Sequence, residues 1–413
     1  MGLREHKYDW LNKHSIKTVK WKKIEPISKF YLFIPQDQKM QKGYQVFTKI
    51  TEIFPVNNVG IVTARDSFVI DSDKKQLEKR IVQFMDSKYD EEILKQTYGL
   101  KENKNWKIEG QREKLRKDEK WRNAFTKILY RPFDLQWVFY HDEMVERSRK
   151  EVMRHMLQEN IGIVTSRQTS SDFRHVFITD KIIEFNLTGT AGKYGSGYLF
   201  PLYLYPEKRE KKGNSLSQMM IFEPEIKYQT REPNIRNELF ENLKKNYKND
   251  VTPEEIFYYI YAILYSETYR TKYSEFLKRD FPRIPFTKDY KLFIQLGKLG
   301  KKLTELHLLK SKNLDKTISK FPIAGNNKVR NLKYESERIW INDDQYFDGI
   351  KKEIFKYQIG GYQVTEKWLK DRKDKTLSSE EIKTFCKIVT AISKTIELQN
   401  EIDTFYSNVE ETI

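Results

Sequence analysis

The sequence predicts an α+β fold, in which a mixed α/β domain with an internal strand repeat is followed by a mainly helical domain. Short apolar runs typical of strands alternate over residues 36–245 with predicted helices, which include residues 36–53 and 111–128. Helical periodicity with strong capping signals predominates over residues 246–413. Because a single core rarely exceeds about 250–300 residues, the chain is long enough for two domains. We expect residues 1–35 to form a connector that leads into the first.

The predicted strand repeat consists of residues 58–65 and 160–167, which are identical at six of eight positions. Each run ends in Thr, a small residue and Arg, and the next residue is Asp66 in the first run and Gln168 in the second. We interpret the pair as an internal duplication in which an apolar strand carries these side chains at its C-terminal end. Chance similarity between two buried strands would give the same pattern, because Gly-Ile-Val runs are common.

The middle of the chain combines a strand–turn–strand signal with a basic helix start. Pro132 fixes φ among aromatic and β-branched residues, which favours two strands joined by a turn. Ser148 and Glu151 have the spacing of a capping box, and Arg147 and Arg149 flank that predicted helix start. A helix N-terminus beside two guanidinium groups favours a phosphate ligand. A solvated basic turn explains the same residues.

Two polar loops follow the basic helix start. Residues 166–171 come directly after an apolar strand and are rich in side chains that hydrogen-bond to base edges. Residues 188–197 form a glycine-rich loop that contains Lys193 and Tyr194 and precedes an apolar strand. This loop lacks the glycine spacing and the Mg²⁺-binding hydroxyl of a phosphate-binding loop. We therefore predict two neighbouring contact loops rather than a nucleotide site.

Capping signals define the helices of the second half. Thr252 and Glu255 form a capping box, and the nearly continuous apolar character of residues 256–265 predicts a core helix. Residues 289–309 predict an amphipathic helix, and Ser378 caps a last helix with a near-heptad apolar seam. We therefore expect the second half to be a domain of helices that pack against one another.

Charge and composition point to a polyanionic partner. The formal net charge is +17, and aromatic residues make up 14% of the chain. A basic surface rich in Tyr, Phe and Arg is typical of nucleic-acid binding, although a generally lysine-rich proteome would give a similar composition. The single cysteine, Cys386, fits a reducing cytoplasm. The longest apolar run has ten residues, so we expect a soluble, cytoplasmic protein without a membrane partner.

The sequence motifs that would carry catalysis are missing. The six histidines show no metal-ligand spacing, and no Gly-x-Ser-x-Gly or early Gly-x-Gly-x-x-Gly motif occurs. No Asn-Pro-Pro-Tyr or Asp-Pro-Pro-Tyr tetrapeptide for methylation of a base amino group is present either. We therefore expect no catalytic residue, metal site or cofactor site in this chain. A self-contained enzyme with unrecognised motifs remains the opposing hypothesis.

Taken together, several runs resemble one known family, the C-terminal specificity region of Type ISP and related fused restriction–modification enzymes. The resemblance covers nearly the whole chain. The runs that carry it are residues 60–66, 130–134, 160–168, 259–264, 277–285, 306–309, 360–362 and 368–370.

The resemblance implies that this chain is a DNA target recognition domain. In such enzymes this region follows an S-adenosylmethionine-dependent adenine methyltransferase domain, and in the long forms also a nuclease and an ATP-driven translocase that use Mg²⁺ and ATP. The chain would then be an excised part or one piece of a split enzyme, and residues 1–35 would connect it to the upstream methyltransferase domain. The alternative is an RNA-binding or protein-bridging module without base-specific readout of DNA.

The residues expected to contact double-stranded DNA come from the strand ends, the strand–turn–strand segment and the two loops. They are Arg65, Asp66, Arg131, Asp134, Arg147, Arg149, Arg167, Gln168, Ser170, Lys193 and Tyr194. Arg, Gln and Asp suit guanine, adenine and the cytosine amino group, respectively. The competing interpretation is that Arg65 and Arg167 form ion pairs with carboxylates such as Asp66 and Asp134 inside the fold.

Overall fold

The computed structural model describes residues 4–21, 23–24, 38–189, 195–206 and 231–413. The chain divides into two compact units, Met1–Val46 and Phe47–Ile413. The predicted boundary between residues 245 and 246 lies inside the larger unit and stays a prediction, as does the connector at residues 1–35. Secondary structure of both kinds confirms a mixed α+β fold.

The described residues contain helices of very different lengths, from one turn to 33 residues. The α-helices are α1 Arg4–Lys13, α2 Gln38–Val46, α3 Ile50–Ile53, α4 Asp66–Val69, α5 Lys74–Met85, α6 Glu91–Tyr98, α7 Ile108–Lys117, α8 Lys150–Met153, α9 Asn237–Tyr247, α10 Pro253–Tyr265, α11 Glu267–Lys272, α12 Ser274–Leu277, α13 Tyr290–His307, α14 Lys352–Phe355, α15 Val364–Lys370 and α16 Ser379–Glu411. Short 3₁₀ helices occur at Trp121–Ala124, Arg154–Leu157 and Lys312–Leu314.

The strands are short and are concentrated before α9. They are β1 Thr48–Lys49, β2 Asn58–Val59, β3 Ile70–Asp71, β4 Phe125–Arg131, β5 Asp134–Phe139, β6 Gly162–Thr165, β7 Val176–Thr179, β8 Ile182–Ile183, β9 Tyr198–Pro201, β10 Tyr203–Leu204, β11 Glu232–Pro233, β12 Arg283–Ile284, β13 Lys333–Glu335, β14 Arg338–Trp340, β15 Tyr346–Phe347, β16 Gln358–Ile359 and β17 Tyr362–Gln363. The two largest described sheets have the orders β2-β9-β6-β7 and β3-β5-β4-β8.

Both predicted repeat segments flank the same strand, β9, in the first sheet. Strands β2 and β6 each pair with β9 in antiparallel fashion, so they run parallel to each other. Tyr198 of β9 lies opposite both Val59 and Thr165. Because the sequence repeat aligns Thr63 with Thr165, the two runs are out of register in the sheet. The structure therefore does not show two equivalent strand ends.

The second sheet contains the predicted strand–turn–strand segment. Strands β4 and β5 form an antiparallel hairpin in which Arg131 lies opposite Asp134, and Phe133 in the turn has a φ of 63°. This confirms the prediction made from Pro132. Strand β8 extends this sheet shortly after β7 ends the first one, so the two sheets are joined by a very short connection.

The helical half packs on the first sheet. Helix α10 begins with the predicted capping box of Thr252 and Glu255, and its residues from Tyr259 onward are buried. The Tyr265 hydroxyl of α10 donates to the carbonyl oxygen of Val176 in β7 at 2.9 Å. Helix α16 begins with the predicted Ser378 capping box. The predicted core helices are thus confirmed.

Two local predictions are wrong. The predicted helix over residues 36–53 is interrupted, because Thr48 and Lys49 form β1 and pair with β12. The predicted helix over residues 111–128 ends at Lys117, since the chain enters β4 at Phe125. Among the described helices, none has the length and apolar character needed to cross a membrane.

Candidate nucleic-acid interface

The loop after β6, residues 167–171, is anchored by one buried side chain. We call it the β6 loop. Thr169 is buried, and its amide donates to the carbonyl oxygen of Lys278 at 3.2 Å. Its hydroxyl oxygen accepts from the amide of Ser171 at 3.1 Å, which closes a tight turn. With Thr169 fixed, the side chains on either side of it are directed outward.

Three predicted contact residues lie on the exposed part of this loop. Arg167, Gln168 and Ser170 are all exposed. The Arg167 side chain is 57% exposed, and its Nε lies 3.8 Å from Oδ1 of Asp280. This contact is too long for a hydrogen bond. The β6 loop therefore presents donors and acceptors to solvent from a buried strand end.

The second predicted loop starts and ends beside the β6 loop. The Ser166 hydroxyl, one residue before Arg167, donates to the carbonyl oxygen of Gly195 at 2.8 Å. The Thr188 hydroxyl donates to the same oxygen at 2.9 Å. Lys193 and Tyr194 lie outside the described residues. Thr188 and Gly195, which precede and follow the undescribed residues, lie next to Ser166.

The β16–β17 hairpin supports the base of this arrangement. The Gly360 amide donates to the carbonyl oxygen of Arg174 at 2.7 Å, and the Gly361 amide donates to that of Thr188 at 2.9 Å. The Tyr362 hydroxyl donates to the carbonyl oxygen of Asn186 at 3.0 Å. The hairpin thus joins the backbone before β7 to the backbone before the second loop.

His175, directly before β7, is buried beneath the two loops and is not part of the surface. Burial, with a contribution from the positive charge of Arg270, lowers the pKa of His175 to about 4. The ring is therefore neutral at pH 7. We assign it a packing role beneath Thr169, whose hydroxyl lies 3.5 Å from its Nε2.

Arg65 and Asp66 are held by intramolecular partners. The Arg65 guanidinium lies 3.3 Å from Glu146 and 3.8 Å from the Trp106 ring centroid, and burial lowers its pKa. The Asp66 carboxylate accepts hydrogen bonds from the Thr63 hydroxyl and, at 2.9 Å, from the Tyr130 hydroxyl. The competing interpretation, an internal ion pair, therefore describes Arg65, although its partner is Glu146 rather than Asp66.

Arg131 and Asp134 form two further buried ion pairs. Arg131 contacts Glu184 at 2.5 Å, and its guanidinium lies over the Tyr130 ring. Burial raises the pKa of Glu184, while the charge of Arg131 opposes that change. The fully buried Asp134 accepts from Arg372 at 2.8 Å. In this conformation neither Arg131 nor Asp134 faces a groove, so we do not carry them into the proposed interface.

The predicted helix start at Ser148 is wrong. Helix α8 begins at Lys150 and has four residues, and Arg149 is its N-cap residue with a φ of 51° and no side-chain cap. The Glu151 carboxylate accepts from Asn58 instead of closing a capping box. A helix this short does not provide the predicted anion site. Arg147 is nevertheless exposed, and its side chain has no hydrogen-bond or ion-pair partner among the described residues.

The sequence did not reveal which segment supports the β6 loop, although residues 277–285 are among the runs that resemble the family. Residues 278–281 contact the loop through a backbone hydrogen bond at Lys278 and the Asp280 carboxylate. They lie more than a hundred positions further along the chain, so no local signal marks them as neighbours. Neither their clustered charges nor the family resemblance indicated that they contact this loop. No described group of His, Cys, Asp and Glu could hold a metal ion.

By fold and candidate site, the chain is an α+β domain that presents a supported polar loop at the end of a buried strand. It belongs to the Type ISP C-terminal specificity domain family, whose model matches residues 52–401. No curated protein matches the sequence. The family assignment agrees with the resemblance found in the sequence.

Three solved structures share the fold. A nuclease-deletion mutant of the Type ISP enzyme LlaGI, in complex with a DNA substrate mimic, has a TM-score of 0.67 at 20% identity, over 96% of this chain and 32% of that one. The ATP-dependent Type ISP enzyme LlaBIII, bound to DNA, has a TM-score of 0.67 at 21% identity, over 92% and 25%. A DrdV–DNA complex has a TM-score of 0.73 at 19% identity, and the match covers 96% of this chain and 42% of that one. The chain therefore spans less than half the length of each.

Proposed function

We propose that this chain is the DNA target recognition region of a restriction–modification enzyme. The observation that carries the proposal is the β6 loop, which exposes Arg167, Gln168 and Ser170 directly after a buried strand. Arginine suits bidentate contact with guanine, glutamine suits adenine, and a good bidentate pair is worth about 1–3 kcal/mol of discrimination. Lys193 and Tyr194 belong to the same proposed interface, because their loop begins and ends beside Ser166.

The proposed duplex contact is mainly electrostatic in origin. The net charge of +17 favours association with phosphates, and Arg147 offers an exposed guanidinium for such a contact. Arg149 lies beside it but is only partly exposed. Phosphate contacts position a protein on DNA without reading its sequence. We therefore assign Arg147 and Arg149 to affinity and the β6 loop to specificity.

The proposed enzyme is larger than this chain. LlaGI, LlaBIII and DrdV all extend well beyond the region that matches. We propose that an S-adenosylmethionine-dependent adenine methyltransferase domain works with this chain in the cytoplasm. A nuclease and an ATP-driven translocase with Mg²⁺ belong to the longer arrangement. None of these cofactors is assigned to residues of this chain.

The internal repeat is retained as a hypothesis about ancestry. Its support is the sequence identity together with the parallel placement of β2 and β6 on either side of β9. The proposed function does not depend on it, because only the second run ends in the exposed β6 loop.

Binding to random duplex DNA at two salt concentrations, followed by selection of a preferred site, tests the proposal. We expect log K to fall steeply with log salt and one short sequence to be enriched. Preference for single strands would favour an RNA-binding module. Absence of any affinity for nucleic acid would favour a protein-bridging module, and either result would overturn the proposal.

A further inference from the structure

Residues 278–281 support the β6 loop from the other half of the chain. The Lys278 carbonyl oxygen accepts the Thr169 amide at 3.2 Å, and the Lys278 ammonium lies 3.3 Å from the Asp172 carboxylate. Two residues on, Asp280 Oδ1 lies 3.8 Å from Arg167 Nε. The same short segment therefore touches the loop at its buried anchor and at its exposed arginine.

The Asp280 carboxylate is itself held firmly. Its Oδ1 accepts the Phe281 amide at 2.9 Å, and its Oδ2 contacts the Lys49 ammonium at 2.5 Å. Phe281 is buried, and its ring makes an edge contact with Tyr198 of β9 at 4.9 Å between centroids. Because β9 pairs with β6, Asp280 is fixed relative to the strand that leads into the β6 loop.

The contact between Asp280 and Arg167 is loose by comparison. An exposed ion pair at this separation contributes little to stability, whereas separating a buried, hydrogen-bonded pair is expensive. Arg167 can therefore leave Asp280 for a base at small cost. Until then, the negative charge restricts the directions that the long, flexible arginine side chain samples.

We propose that Asp280 is a positioning residue that orients Arg167 for base readout. The inference rests on the proposed function, and it extends the specificity site to a residue of the second half of the chain. Asp280 stays paired with Lys49 when Arg167 moves to DNA. Asp280 therefore loses no more than one loose contact on binding.

The test compares base discrimination in wild type, Asp280→Asn, Arg167→Ala and the double variant, with the selected site and with single-base changes in it. Asp280→Asn should lower discrimination about two- to fivefold at the base position that depends on Arg167. Affinity for unrelated duplexes should rise, because a negative charge is removed. In the Arg167→Ala background, Asp280→Asn should leave discrimination unchanged and still raise general affinity.

Asp172→Asn is the matched control. Asp172 is exposed beside the same loop and contacts Lys278 rather than Arg167. Its replacement removes the same charge, so general affinity should rise while discrimination stays at the wild-type value. Thermal unfolding monitors the fold of each variant. Asp280→Ser, whose hydroxyl can also accept the Phe281 amide, replaces Asp280→Asn if that variant does not fold.

The possible failures are distinguishable. Unchanged discrimination in Asp280→Asn, or an equal loss in the presence and absence of Arg167, overturns the positioning role and leaves the proposed function intact. If Arg167→Ala itself keeps the full base preference, or if the chain binds no duplex, the proposed function fails first.

Discussion

Arginines that were predicted to act alike have very different environments in the folded chain. Arg65 and Arg167 end the two similar apolar runs, yet Arg65 is buried against Glu146 and Trp106 while Arg167 is mostly exposed. Arg131 is buried against Glu184. The difference comes from carboxylates and rings that are distant in sequence. The exposed arginines, Arg167 and Arg147, are therefore the informative targets for substitution.

Arg167→Ala should relax the preference at one base position, because it removes a directional contact while the rest of the basic surface remains. We expect a loss of about 1–3 kcal/mol of discrimination, with non-specific binding nearly unchanged. Gln168→Ala should act in the same way at another position. Selection of binding sites with each variant measures both effects. An unchanged site preference in both variants would contradict the assignment of the β6 loop.

Arg147→Ala should have the opposite effect. Loss of one phosphate contact should weaken binding to all duplexes alike and lower the slope of log K against log salt by about one unit. Titration of a labelled duplex at several salt concentrations measures this slope. A change confined to the preferred site would show that Arg147 reads sequence.

Asp134→Asn tests whether the Asp134 carboxylate stabilises the fold or contacts a base. The substitution leaves the buried Arg372 guanidinium with Glu381 at 2.9 Å as its remaining carboxylate. Leaving a buried charge without a partner costs about 3–5 kcal/mol, and because Glu381 still compensates Arg372, the unfolding free energy should fall by less than that amount. Denaturant unfolding measures it. The base preference of the folded fraction should stay as in wild type, since Asp134 is buried.

Among the elements, the β16–β17 hairpin should be sensitive to the addition of a single methyl group. Gly360 has a φ of 59°, and a Cβ atom at this position would lie 2.0 Å from the Thr188 carbonyl oxygen. Gly360→Ala should therefore destabilise the protein by more than about 1–2 kcal/mol, the cost of the left-handed conformation alone. The melting temperature measures the effect.

Gly110→Ala is the control for that substitution. Gly110 lies in helix α7 with no atom within 4 Å of an added Cβ. Alanine should stabilise this helix by up to about 1 kcal/mol. If both variants changed stability equally, the close approach at Gly360 would be irrelevant.

Elements whose signals are local were predictable from the sequence. The capping boxes at Thr252 and Ser378 involve residues three positions apart, and both helices begin where expected. The same pattern at Ser148 failed, because Glu151 is engaged by Asn58, which is distant in sequence. The register of β2 against β9 was likewise unpredictable, since it depends on where the chain leaves the sheet after Val59.

At the scale of the whole molecule, contacts between the two halves of the chain influence which side chains are free to contact DNA. Asp134 is paired with Arg372, and Arg167 contacts Asp280, across more than a hundred residues in each case. Family resemblance identified both halves but could not reveal these pairs. The fold class and the position of the β6 loop were therefore predictable, whereas the pairing of Asp134 with Arg372 and the contact between Arg167 and Asp280 were not.

Two buried histidines, His175 and His307, predict that the fold loses stability in acid. Burial, with Arg270 nearby, lowers the pKa of His307 to about 3 and that of His175 to about 4. An unfolded histidine has a pKa of about 6.5, so unfolding takes up protons below that pH. The contribution of these histidines to the free energy of unfolding should be fully present above about pH 6.5 and should be lost as the pH falls towards 4. A melting temperature that stays flat between pH 7 and pH 5 would contradict this prediction.

The pure chain should neither transfer methyl groups nor cleave DNA. The full sequence lacks the tetrapeptide used for methylation of a base amino group, and the chain matches only 25–42% of the solved relatives. We expect no S-adenosylmethionine binding by calorimetry and no labelled methyl incorporation. Adding a cognate methyltransferase domain should restore modification at the site selected by the β6 loop, while the Arg167→Ala chain should restore it with relaxed preference. Methyl transfer or Mg²⁺-dependent cleavage by the pure wild-type chain would show that it carries its own catalytic site.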